Sequence, residues 1–134
     1  MHDRCKIHFL SLASDFPDLY SELPHEADAH MDKHYGQDVI DSLSVLEAVV
    51  PTLHPDLWPK LAELFPAITM ALRSRYAIIR QASARCFATI CNVMTSDAMR
   101  FVIEKIIPLL GDAIVLSNRQ GAAEAIYRTC SAAS

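Results

Sequence analysis

Six histidines and four cysteines are the residues best suited to metal or nucleophilic chemistry here, and their spacing decides whether they can act together. Glu26, His30 and His34 recur every four residues, which on a helix would put them on one face able to hold Zn²⁺. They stand among Pro24, Asp28, Asp32 and Gly36, a stretch that reads instead as an acidic loop carrying solvated histidines. Cys5 and His8 form a pair with no second pair to complete four ligands. Cys5, Cys86, Cys91 and Cys130 contain no CxxC, and at about 100° per residue Cys86 and Cys91 point roughly 140° apart on one helix. Reduced thiols follow, with Cys86 a small buried hydrophobe among Ala84, Phe87 and Ile90. No G-x-x-x-x-G-K-[ST], H-E-x-x-H or G-x-S-x-G string occurs, and the three glycines are scattered singly. No catalytic, cofactor-binding or metal-binding residue is therefore assigned, no cofactor is expected, and the chain is not expected to be an enzyme in its own right.

Arginine is the other residue type with a pattern. Arg80 and Arg119 hold equivalent places early in two helices, where each can bond an acid or the last carbonyls of a neighbouring helix and so form a ladder between repeats. Arg80 is expected to be tied up in this way, and Arg73, Arg75 and Arg85 to point into solvent. All four belong to a basic block. Residues 60–105 carry seven bases against three acids, a net of +4, whereas residues 1–59 carry eleven acids against three bases, a net of −8. Such a block could attract nucleic acid or an acidic surface, but a solvated face paired with the acidic half is the simpler reading. Trp58 opens a helix at Leu57-Trp58-Pro59 and reads as a packing residue.

These groups sit on elements that repeat. Pro24, Pro66 and Pro108 are 42 and 42 residues apart, each after an apolar pair or near-pair and inside or beside a helical pattern. After each comes a second helix: Ile79–Ala84 aligns with Asn118–Ala123 at an offset of 39, and Val39–Leu43 with Arg80–Ala84 at 41. In the helix near 76–94, Ile79, Ala82, Cys86, Ile90 and Val93 make one stripe and Ala84, Phe87, Cys91 and Met94 a second beside it. So wide an apolar face suits an inner helix touching its own partner and both neighbouring repeats. A unit of about 40 residues with two helices, the first kinked by proline, is the HEAT layout.

With 51% hydrophobic and 21% charged residues over 134 positions, the chain has material for a core and is not a disordered tail. The expectation is an all-α, HEAT/armadillo-type solenoid of about three and a half helix pairs, occupying residues 1–134 as a single array. Its parts are a partial repeat 1–14, repeats 15–53 and 54–95, and a truncated repeat 96–134. Expected helices cover 2–14, 17–23, 38–50, 56–73, 77–94, 97–110 and 117–131, with His25–Gln37 a polar connection and Thr95-Ser96-Asp97 a capping stretch. A partnerless first helix and the ending Ala132-Ala133-Ser134 suggest a piece of a longer array lacking capping repeats. The opening MHDRCKIHFL lacks the apolar core of a signal peptide, and no 18-residue apolar run is present, so no membrane contact is expected.

Several strings are more specific than helix-forming filler. Ser74-Arg75-Tyr76-Ala77-Ile78-Ile79-Arg80, Ala84-Arg85-Cys86-Phe87-Ala88-Thr89-Ile90 and Asn118-Arg119-Gln120-Gly121-Ala122-Ala123-Glu124 are three of them, alongside Leu64-Phe65-Pro66 and Ile107-Pro108-Leu109-Leu110-Gly111-Asp112. Together they resemble the central HEAT region of the TATA-binding-protein-associated Swi/Snf-type ATPases, closely over residues 38–127 and more loosely over 1–37. Residues Arg128–Ser134 depart from the family's next helix. The resemblance implies a nuclear, TBP-regulating protein whose amino-terminal repeats grip TATA-binding protein (TBP) and whose carboxy-terminal ATPase engages DNA. This segment would be a non-catalytic spacer between the two. TBP would be a partner through the full-length protein, and DNA only through an ATPase domain absent here. The alternative is a HEAT adaptor of another class, a transport receptor or phosphatase scaffold, taking peptides on its concave face.

Overall fold

A computed structural model describes the backbone of residues 28–133 and the side chains of residues 36–131. The expected helices 2–14 and 17–23, together with Cys5, His8, Pro24, Glu26 and the side chains of His30 and His34, lie outside it. Among the described residues every regular element is helical. Helix α1 spans Asp28–Val49; a 3₁₀ segment Pro55–Leu64 runs into α2, Phe65–Leu72; α3 spans Ala77–Val93. Helix α4, Thr95–Phe101, continues as a π segment Val102–Ile106 and a 3₁₀ segment Ile107–Gly111, and α5 spans Leu116–Ala133.

Two sequence expectations are corrected. The stretch 28–37, read as a loop, is helical and forms the first turns of α1. Its most helix-weakening residue, Gly36, costs about 1 kcal/mol relative to alanine. It sits against α3, where a Cβ would meet Ile79 Cδ1 at 3.7 Å, so packing outweighs local propensity. The second correction concerns Thr95-Ser96-Asp97. Thr95 Oγ1 donates to the Cys91 carbonyl at 2.7 Å, satisfying the end of α3, and no side chain caps α4.

The prolines break the first helices as their chemistry dictates. Pro66 cannot donate to the carbonyl four residues back, so the 3₁₀ segment ends at Leu64 and Pro66 takes a place in the first turn of α2, where no donor is needed. Pro108 does the same in the first turn of the 3₁₀ segment Ile107–Gly111, just after the π segment. Pro59 lies within the 3₁₀ segment that precedes α2.

Helix α3 is the centre of the described structure, packing on α1, α2, α4 and α5. Its two stripes are buried: Ile79, Ala82, Cys86 and Ile90 on one, Ala84, Phe87 and Cys91 on the other. Phe87 meets Phe65 of α2 edge-on at 5.5 Å, and Phe101 of α4 closes the trio 4.8 Å from Phe65. Trp58, read as a packing residue, is half-buried against the same core.

Candidate functional site at the junction of successive helix pairs

The junction is built on small residues. Ala82, Ser83, Ala84 and Ala88 of α3, and Gly121, Ala122 and Ala125 of α5, are all buried and let the two helices approach. Closest is Gly121, where a Cβ would overlap the carbonyl oxygen of Leu72 and lie 2.7 Å from its carbonyl carbon. Cys91 Sγ and Thr129 Oγ1 face each other at 3.9 Å further along.

Polar groups fix the turns at the head of each second helix. Asp112 Oδ1 accepts from the N–H groups of Ile114 and Val115, both at 2.9 Å, and its Oδ2 accepts from Asn118 Nδ2 at 2.9 Å. The backbone bond from Val115, then those from Asn118 and Ile114, hold its carboxyl down at about 2. Buried Asn118 turns its Oδ1 to accept from Arg73 Nε at 3.1 Å, and Ser117 Oγ donates to the Arg73 carbonyl at 3.1 Å. One helix pair is thereby tied to the end of the previous one.

Arg80 Nη1 donates to the Ser74 carbonyl at 2.8 Å and Arg119 Nη1 to the Asp112 carbonyl at 2.6 Å. Both bond the ends of first helices, as their repeated position suggested. Each rung closes the turn within its own pair rather than bridging two pairs. The remaining arginines do not all point freely into solvent. Arg73 is committed to Asn118, Arg75 stacks 4.9 Å over the Tyr76 ring and donates to its hydroxyl at 2.6 Å, and Arg85 lies half-buried 3.8 Å from Glu47 of α1. Four of the seven bases of the +4 block are thus each held by a different neighbour.

Between the heads of α3 and α5 lies a groove of about 400 Å³, lined by Ala77, Arg80 and Gln81 on one side and Gln120, Ala123, Glu124 and Tyr127 on the other. Gln81 and Gln120 are register equivalents, and a carboxamide both donates and accepts. Glu124 is held by Arg128 at 2.9 Å. The lining can hold a polar chain but contains no nucleophile next to a base. The buried thiols add none: burial, with the nearby Glu47 charge, pushes Cys86 up to about 12, and burial raises Cys91 to about 11 against the opposing bond to Thr129. Among the described residues no three His, Cys, Asp or Glu side chains converge to hold a metal, and no helix is long and apolar enough to cross a membrane. Sequence reasoning missed Asp112 and Asn118, whose Asp-to-Asn spacing across a helix start is the signal of a capped turn.

An all-α stack of helix pairs joined through small residues and the Arg73–Asn118 bond is a helical-repeat protein. Over 92 residues, 69% of its length, the chain is 45% identical to the TATA-binding protein-associated factor mot1 of Aspergillus fumigatus. It is 37% identical over 94 residues to mot1 of Schizosaccharomyces pombe, and 33% over 111 residues, 82% of the chain, to MOT1 of Saccharomyces cerevisiae. The chain is homologous to a segment of the TATA-binding protein-associated factors, and spans about 5–6% of the length of these curated relatives. No family model matches it.

Proposed function

We propose that this chain serves as a non-catalytic helical scaffold segment of a nuclear, TBP-associated Swi/Snf-type ATPase. It would set the geometry between the repeats that grip TBP and the motor that engages DNA. The 45% identity to the Aspergillus fumigatus TATA-binding protein-associated factor carries this reading, and the close-packed junction around Gly121 and Asn118 supports it. Within the basic block Arg73, Arg80 and Arg85 are held by Asn118, the Ser74 carbonyl and Glu47, contacts that serve the fold itself. The test is a titration of the purified chain against TBP, alone and on TATA-containing DNA, at about physiological salt, beside an ATPase assay. Weak or no binding and no hydrolysis are expected. Submicromolar binding lost on substituting Arg73 and Arg75, with helicity intact, would make this a contact surface instead.

One observation favours the adaptor reading: the groove with Gln81 and Gln120 at equivalent positions suits the alternating donors and acceptors of an extended peptide. Under that reading the double change Gln81→Ala, Gln120→Ala abolishes peptide capture, and under the scaffold reading it changes nothing measurable.

A further inference from the structure

On helices α1, α3 and α5 most long polar side chains have partners. Gln37 donates to Asp41 at 2.8 Å, Arg85 lies 3.8 Å from Glu47, and Arg128 donates to Glu124 at 2.9 Å. Arg80 and Arg119 bond the Ser74 and Asp112 carbonyls. Gln81 of α3 and Gln120 of α5 do not follow suit. Both are exposed, neither side chain bonds to a described residue, and both line the groove between the heads of these helices.

Neighbouring packed helices lie about 8–10 Å apart, and an extended chain advances about 3.3 Å per residue. Carboxamides on successive helices are therefore spaced for peptide groups about three residues apart, on a strand laid across both helices. Each carboxamide donates and accepts, so each can pair with the N–H and the C=O of one residue. Ala77 and Ala123 give the two walls short side chains, which lets a backbone come close to both helices.

The rest of the lining selects among occupants. A docked amphipathic helix needs a row of large apolar anchors, and Tyr127 is the one large ring in this groove. Arg80 brings one positive charge and Glu124 one negative, a balance that suits neither a polyanion nor a polycation. Tyr127, 67% exposed, offers its ring to an apolar side chain. Resting on the adaptor reading of this groove, we infer that Gln81 and Gln120 hold the main chain of an uncharged, extended polypeptide segment. The two bonded residues are about three apart, and an apolar side chain of the segment lies against Tyr127. Recognition then resides in peptide groups and not in charge, so it is insensitive to salt.

The test selects a phage-displayed library of short random peptides on the full chain and counter-selects on the double variant Gln81→Ala, Gln120→Ala. Both positions are exposed, so the variant keeps the helicity and melting temperature of the parent. Surviving peptides, synthesised and titrated by fluorescence anisotropy, bind the parent about tenfold or more tighter than the variant. Gln81→Glu, which keeps the shape and the acceptor but loses the donor, weakens them as well. A scan that places one N-methyl group on each peptide nitrogen in turn finds two sensitive sites about three residues apart. Raising the salt to physiological strength changes the affinity by less than about twofold. No surviving peptide, a survivor that binds as a helix, a steep loss of binding with salt, or an N-methyl scan without sensitive sites overturns the inference. Peptides held equally by parent and double variant overturn it too, while leaving the adaptor reading alive at another surface. The TBP titration reads neither glutamine, so the scaffold reading stands or falls there independently.

Discussion

Gly121 of α5 lies against the backbone of Leu72 so closely that no side-chain carbon fits between them. Because the obstacle is a carbonyl and not a flexible side chain, Gly121→Ala must push α5 away from α2. The gain in helix propensity, about 1 kcal/mol, is smaller than the overpacking cost and loosened junction, together about 1–3 kcal/mol or more. Gly111, by contrast, has nothing within 4 Å of its virtual Cβ and no positive φ, so Gly111→Ala should be neutral or stabilising by about 0.4–1 kcal/mol. Urea denaturation of the two variants should separate them clearly; equal stabilities would place Gly121 outside the junction.

Ala84 and Arg85 are adjacent on α3 and test its orientation. Ala84 is fully buried, so Ala84→Leu overpacks the α3 face at about 1–3 kcal/mol. Arg85 reaches Glu47 only at 3.8 Å with both side chains more than a third exposed, so Arg85→Ala should cost about 0.5 kcal/mol or less. The reverse order in chemical denaturation would mean the helix is rotated.

The faces of α3 were legible because a 3.6-residue period is written into Ile79, Ala82, Cys86 and Ile90. The repeat was legible because proline cannot hide: Pro66 and Pro108 mark equivalent breaks. The early turns of α1 were not, since Gly36 and its acidic neighbours favour a loop locally and only the packing on Ile79 outweighs that preference. Nor was the arginine pattern fully readable. Position alone showed that Arg80 and Arg119 share a role, but it could not say whether the accepting carbonyl belongs to the same pair or the next. The Arg73 to Asn118 bond spans 45 residues, a long-range partnership that no local pattern encodes.

Asp112 gives the fold a pH signature. Its folded value of about 2 lies below the ordinary 3.8, so the ionised form is the one the structure favours. Its stabilisation is fully present above pH 3.8 and is lost as the pH falls toward 2. Asp112→Asn keeps an acceptor for the turn but removes the charge. Thermal melts between pH 5 and 2 should therefore show a shallower acid limb in the variant than in the parent chain. Identical acid limbs would show that Asp112 is not held in its ionised form by the turn.

Phe65, Phe87 and Phe101 join three helices from two successive pairs, so they measure how far those pairs fold as one unit. Phe87 is fully buried and central; Phe87→Ala should cost about 3–5 kcal/mol. More informative is the link from Phe65 to Phe101, 4.8 Å apart at ring centroids and separated by 36 positions in sequence. A double-mutant cycle with Phe65→Leu and Phe101→Leu retains apolar volume while removing the ring–ring contact. The coupling should be about 0.5–1.5 kcal/mol, the range for an aromatic pair beyond its area burial. Phe101→Leu alone should also weaken amide-exchange protection in α2 as well as in α4, because the two segments share the contact. Protection lost only in α4, with coupling near zero, would mean that the pairs open independently and that the array is hinged at this junction.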